Sequence, residues 1–338
     1  MNHPVKSLAQ VLVVCLALLS GGCGQKAEQD KPRQKTGLSQ DQQISALLKR
    51  KRQLYLWSVY WDNKASLTSV YQHAGKIAAL GDFAASYTKK NRLFLPAASQ
   101  ELAKRVRQSS VAKLPVYLTV VNDRPNDLKS LELLQSLLET PESRKQAVQE
   151  IVSLAKSQRF SGVELDFEKI RGDLSLWRKF ISFEEELQTR CQKSGLQLRV
   201  VLESSTPKAV KLPKGPDYVV MCYNLHYSGT KPGPKADKAF LKQVARKFKQ
   251  LPNVSYALAN GGFDFKGKSA AALTSNQVAA LLDQKKAIPK RDAESGAMHF
   301  KYGLHEVWYA DSTTLAEWAK TLDQASGRQV AISLWRIE

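Results

Sequence analysis

Three acids occupy alternate positions in Phe160-Ser-Gly-Val-Glu-Leu-Asp-Phe-Glu168. In a strand, Glu164, Asp166 and Glu168 share one face, and Val163, Leu165 and Phe167 share the other. Crowded carboxyls raise one another's proton affinity. A carboxyl kept protonated near neutral pH can act as a general acid, as glycosidic bond cleavage requires. An antiparallel strand with one wet face would put the same acids in water and give them no task. The flanking sequence argues against that alternative. Helical patterns precede and follow the stretch, the order of a parallel sheet whose strands are buried on both faces.

The elements that must hold these acids form a series. Leu54 to Trp61, Lys76 to Tyr87 and Leu114 to Asn122 read as the first three strands, and 161–168 as the fourth. Leu196 to Glu203, Tyr218 to Tyr223, Val254 to Gly262 and Gln329 to Trp335 complete the set. Helical patterns lie at about 97–108, 142–157, 174–193, 236–249 and 312–325. Residues 265–303 break the rhythm with a small helical piece, Ser275 to Lys285, and then a polar segment. This order over residues 41–338 predicts the α/β class and a (β/α)8 TIM barrel with a small insertion after strand seven. Sites on such barrels lie at the C-terminal ends of the strands. Tyr223, Asn224 and His226 follow strand six, and Trp335 closes the last strand. Trp57, Trp61 and Trp308 are further stacking candidates, although aromatics at strand ends also simply pack.

Ser161-Gly-Val-Glu-Leu-Asp-Phe-Glu168 resembles the family-18 glycoside hydrolase motif D-G-x-D-x-D-x-E. Gly162, Asp166 and Glu168 match it, while Ser161 replaces the first Asp and Glu164 the second. Met221-Cys-Tyr223-Asn224 resembles the family's M-x-Y-D/N. The segments Tyr223-Asn-Leu-His226, Pro232-Gly-Pro234, Gly262-Phe-Asp264-Phe265, Val307-Trp-Tyr-Ala-Asp311 and Leu334-Trp-Arg336 follow in order. Together they are similar to the branch with bacterial spore-cortex and peptidoglycan-active enzymes. Asn224, Gly261, Phe265 and Ala310 depart from that pattern.

The resemblance implies that Glu168 is the general acid, that Asp166 is its partner, and that Tyr223 bonds the substrate's acetamido group. It implies Trp335 as the floor for the cleaved sugar, with Glu164, Asn224, His226, Trp308 and Trp57 completing the substrate site. The implied substrate is a β-linked N-acetylglucosamine-containing glycan, of the peptidoglycan or chitin kind. The implied reaction is retaining and assisted by the acetamido group, with no metal or cofactor. A glycan-binding protein on an inert barrel is the rival reading.

Residues 1–23 read as a lipoprotein signal peptide. Lys6 supplies charge, and the apolar run Leu8 to Leu19 is too short to span a bilayer comfortably. Leu19-Ser-Gly-Gly-Cys23 resembles a lipoprotein signal-peptidase site with Cys23 as the lipidated residue, and an ordinary secretory signal is the alternative. Residues 24–40 read as a flexible polar tether. The expectation is an exported monomer held by lipid in the cell envelope. It would lie on the outer membrane if one exists, otherwise on the outer face of the cytoplasmic membrane.

The chain carries 51 Lys+Arg against 31 Asp+Glu, a net charge of +20. Such a balance speaks to partners and not to fold. The basic residues are scattered and no nucleic-acid motif accompanies them, so anionic wall polymer or lipid head groups are expected instead of nucleic acid. Cys191 and Cys222 are expected at opposite ends of the barrel, too far apart for a disulfide. The five histidines show no metal spacing. A phosphate loop and a nucleophile elbow are also lacking.

Overall fold

The computed structural model describes residues 36–49 and 51–338. The expected signal peptide, Cys23 and the tether up to residue 35 lie outside the described residues. Eight parallel strands close into a barrel: β1 (Leu54–Val59), β2 (Ala79–Tyr87), β4 (Val116–Val121), β5 (Gly162–Asp166), β6 (Gln197–Leu202), β7 (Asp217–Met221), β8 (Val254–Ala259) and β14 (Ile332–Trp335). The first strand pairs with both the second and the last. A two-residue strand, β3 (Leu93–Phe94), adds to the top of β2.

The outer layer contains α1 (Gln40–Leu48), α2 (Asn63–His73), α3 (Ala97–Arg107), α4 (Leu131–Leu138) and α5 (Pro141–Ser157). It continues with α6 (Leu174–Lys193), α7 (Lys238–Phe248) and α9 (Ser312–Ser326). Between β6 and β7 the chain crosses without a helix. The eight-stranded barrel predicted by the strand series is the fold observed.

α6 shows how the outer layer aims β5. Asp173 caps its start by accepting from the Ser175 and Leu176 amides, both at 2.9 Å. Leu176, Phe180, Phe183 and Leu187 recur at helical spacing and are buried. Phe167 stacks on Phe183 with ring centroids 5.9 Å apart. Val163 and Leu165 are also buried on this side. Because side chains alternate across a strand, seating this face against α6 turns Glu164 and Asp166 into the barrel. The wet-strand alternative fails here, since Glu164 has 0% exposure.

The segment read as a helical piece plus polar chain is a five-stranded antiparallel sheet with one helix. It comprises β9 (Gly261–Lys266), β10 (Ser269–Leu273), α8 (Ser275–Lys285), β11 (Lys290–Arg291), β12 (Met298–Tyr302) and β13 (His305–Ala310). It therefore runs from Gly261 to Ala310, beyond the expected 265–303. Gly267 and Gly303 lie between paired strands with φ of 62° and 51°, a left-handed backbone that glycine adopts without a Cβ penalty. Val278, Phe300, Val307 and Tyr309 form its own core with Leu38. Leu38 lies inside the expected tether, so ordered packing starts before residue 41.

Candidate active site

The motif acids rise through the barrel in steps. Glu164 is the deepest. Its carboxylate accepts from Trp57 Nε1 and, at 3.0 Å, from Thr119 Oγ1, and pairs with Arg199 at 2.8 Å. Arg199 stacks over the Tyr55 ring at 4.1 Å and donates to Ser333 Oγ at 2.9 Å. Gly81 makes room for this assembly: a Cβ there would lie 2.5 Å from the Trp57 ring and 2.9 Å from Glu164 Oε1. Glu164 is thus placed beneath the site, where it acts by charge and shape and presents no surface to a ligand.

Asp166 ends β5 at the C-terminal mouth, and its buried Oδ1 has no hydrogen-bond partner among the described residues. Burial pushes its proton affinity far above the usual carboxyl range. Glu168 adds to the rise, Lys129 opposes it, and Glu164 and Asp123 reinforce it. Glu168 follows just beyond the strand. Burial raises its proton affinity too, against the Lys129 ammonium and with Glu203 and Asp123 reinforcing. Burial, Asp166 and Glu168 hold the Tyr223 hydroxyl protonated and able to donate. Two carboxyls able to hold a proton stand at the mouth, with a phenol and an indole nearby. That set can protonate a leaving oxygen and orient an amide.

Trp335 is half-buried at the end of β14. It meets Trp57 edge-on at 5.9 Å and Phe83 at 4.9 Å. Phe83 meets Trp61 at 5.9 Å, and Trp61 is 54% exposed. The aromatic run thus leads from the barrel axis into a groove of about 630 Å3, which Tyr60, Phe94 and Leu128 also line. Trp57 is buried and serves as a brace under Trp335. Asn224 Oδ1 accepts from Ser204 Oγ at 3.2 Å. The His226 ring packs on the Pro232-Gly-Pro234 turn, where a Cβ on Gly233 would lie 2.5 Å from it, and its Nδ1 lies 3.1 Å from Lys231 O. Trp308 sits on the insertion sheet, stacked on His299 at 4.5 Å and donating to Glu306 at 2.8 Å.

Three residues at the site carry no motif signal. Asn122, at the end of β4, accepts from the Glu168 amide at 2.9 Å and donates to the Glu168 carbonyl at 3.1 Å. Lys129 forms an ion pair with the Glu168 carboxylate. Arg199 neutralises Glu164. A polar residue closing a strand could have marked Asn122; nothing local marks the other two. Among the described residues, no group of three or more His, Cys, Asp or Glu is placed to hold a metal ion.

A (β/α)8 barrel with paired acids and aromatics at its C-terminal mouth defines the class. No family model matches the chain. Among relatives, YdhD of Bacillus subtilis (strain 168), whose name describes a sporulation-specific glycosylase, is 25% identical over 232 residues. That alignment covers 62% of this chain and 54% of the relative, so it spans about half of that protein's length. Solved structures of similar fold include a chitinase from Chromobacterium violaceum, with TM-score 0.72 and 20% identity, covering 85% of this chain and 94% of that one. The spore cortex-lytic enzyme SleL of Bacillus cereus aligns with TM-score 0.69 and 20% identity, over 85% of this chain and 71% of its own.

Proposed function

We propose that the protein hydrolyses β-linked N-acetylglucosamine-containing glycan, peptidoglycan or a chitin-like polymer, with retention and by acetamido-assisted catalysis. Glu168 protonates the glycosidic oxygen. The 2-acetamido oxygen attacks the anomeric carbon, oriented by Asp166 and Tyr223, and Trp335 stacks under the sugar. Water then opens the oxazolinium as Glu168 takes back a proton. The observation that carries this reading is the Asp166–Glu168 pair, whose burial favours the protonated form at the mouth of the barrel. The glycosylase and chitinase names among relatives and structural neighbours support it. Mass spectrometry of products from purified peptidoglycan and from chitin oligomers tests it. Soluble sugars from wild type and none from Glu168→Gln are expected. Binding without release in wild type would favour the inert-barrel reading.

The same proposal places the protein in the cell envelope as a monomer held through lipidated Cys23, on the strength of Leu19-Ser-Gly-Gly-Cys23. Cys23→Ser should then leave the membrane fraction. Retention of that variant would assign attachment to the basic surface instead.

A further inference from the structure

Lys129 has no part in the scheme above, yet the protein builds it against the acid. Its ammonium pairs with the Glu168 carboxylate. The loop that carries it, residues 122–130, is fastened to the same acid's backbone. Asn122 holds both the amide and the carbonyl of Glu168, at 2.9 and 3.1 Å. The Ser130 amide donates to Asn122 O at 2.7 Å, and Asp123 Oδ1 accepts from the Lys129 amide at 2.8 Å. Lys129 has φ of 55°, a left-handed conformation unfavourable for its type. From the other side, Lys169 donates its ammonium to Leu128 O and its amide to Glu203, both at 3.0 Å. An ordinary surface lysine samples many rotamers around whichever acid is near. This one starts from a backbone fixed relative to Glu168.

The surroundings give that charge a task. Asp123 faces the pair from the same loop, Glu164 and Asp166 from β5, and Glu203 from beyond β6. Tyr223, after β7, faces the acids. Glu164 is already neutralised by Arg199. Burial, Glu203 and Asp123 favour a proton on Glu168, and Lys129 opposes them. An acid that must give its proton and then recover one works best when its proton affinity is near the working pH.

We propose that Lys129 is a positioning residue for catalysis: its ammonium, fixed on Glu168 by the loop after β4, sets the pH up to which Glu168 keeps the proton it donates. This rests on Glu168 being the general acid. Removing a neighbouring positive charge destabilises the carboxylate, so Glu168 stays protonated to higher pH. The alkaline limb of the kcat/KM profile then moves to higher pH.

The test uses the full chain with ¹³C-labelled carboxyl groups, the Glu168 signal being assigned by its loss in Glu168→Gln. The carboxyl is titrated in wild type, Lys129→Met and Lys129→Arg, and kcat/KM is measured across pH on the same samples. In Lys129→Met the titration midpoint should rise. The rate well above the wild-type midpoint should increase roughly tenfold, the change in proton affinity that one close charge typically produces. Lys129→Arg, which keeps the charge, should lie close to wild type. Superimposable Glu168 titrations in wild type and Lys129→Met would overturn the proposal. The titration needs no substrate, so wild type that cleaves no glycan would count against the proposed function while the Lys129–Glu168 link is still decided.

Discussion

Inside the barrel the Arg199 guanidinium lies 2.8 Å from the Glu164 carboxylate, with side-chain exposures of 2% and 0%. The pair holds one motif acid as a neutralised carboxylate under the two that remain free to exchange protons. A buried charge is tolerated when it is paired and its other lone pairs are bonded, and Trp57 and Thr119 supply those bonds.

Arg199→Met should therefore destabilise the fold by about 3–5 kcal/mol, the usual result of stranding one partner of a buried pair. Urea unfolding at neutral pH measures this. The double variant Glu164→Gln/Arg199→Met should recover part of the loss, because no charge is left stranded. A single variant as stable as wild type would show that the Arg199–Glu164 pair does not hold the fold together.

Glu168→Gln keeps the shape of the acid without a transferable proton. Glycan turnover should fall by at least the ~10²-fold typical of losing a general acid. Asp166→Asn should also be slow, since the proposed mechanism has the Asp166 carboxyl steer the acetamido group and share a proton with Glu168, and an amide cannot exchange that proton. A thiazoline mimic of the cyclised intermediate should inhibit wild type competitively. Turnover indifferent to that compound would exclude acetamido participation.

Trp335→Ala removes a stacking surface worth on the order of a kcal/mol. Cleavage of oligosaccharides should weaken while the fold survives, since Trp335 is only half-buried, Phe83 keeps its edge-on contact with Trp61, and Trp57 keeps its bond to Glu164. Kinetics equal to wild type in a folded variant would reduce it to a packing residue.

Glu184 makes a prediction about stability. Burial raises its pKa from 4.5 to about 8, partly offset by the Tyr218 hydroxyl and reinforced by Glu185. A carboxyl whose pKa is higher in the folded state binds its proton more tightly there. Its contribution is complete below about 4.5 and is lost as pH rises through about 8. Wild type should lose on the order of a kcal/mol or more between pH 5 and pH 9 from this group. Glu184→Gln, which stays neutral, should flatten the decline in urea midpoints over that range. An identical decline in both proteins would reject the assignment.

The barrel and the acid-bearing strand were legible in the chain because their determinants are local. Alternation of apolar and acidic residues over 160–168 needs no partner to be seen, and 174–193 and 275–285 carry helical patterns that matched α6 and α8 residue for residue. Cys191 and Cys222 are both buried and free among the described residues. The insertion's strands were harder. Met298–Tyr302 and His305–Ala310 each bury one face and leave the other partly wet, so a short run such as Met-His-Phe-Lys-Tyr looks like polar loop until β13 lies beside it.

The charge partners depended on closure of the barrel. Arg199 stands 35 residues from Glu164, and Lys129 stands 39 from Glu168. Neither separation has a periodicity that one chain segment could reveal. Pairing of β5 with β6 sets Arg199 opposite Glu164, and the loop after β4 brings Lys129 over the acid. Trp57 illustrates the same limit. Its type and place at a strand end suit a sugar platform, but the room left by Gly81 lets its buried indole bond Glu164 beneath the half-buried Trp335. Residue types thus selected the chemistry available at the mouth. Strand register and barrel closure chose which of those side chains reach solvent, because burial and pairing are properties of the closed sheet.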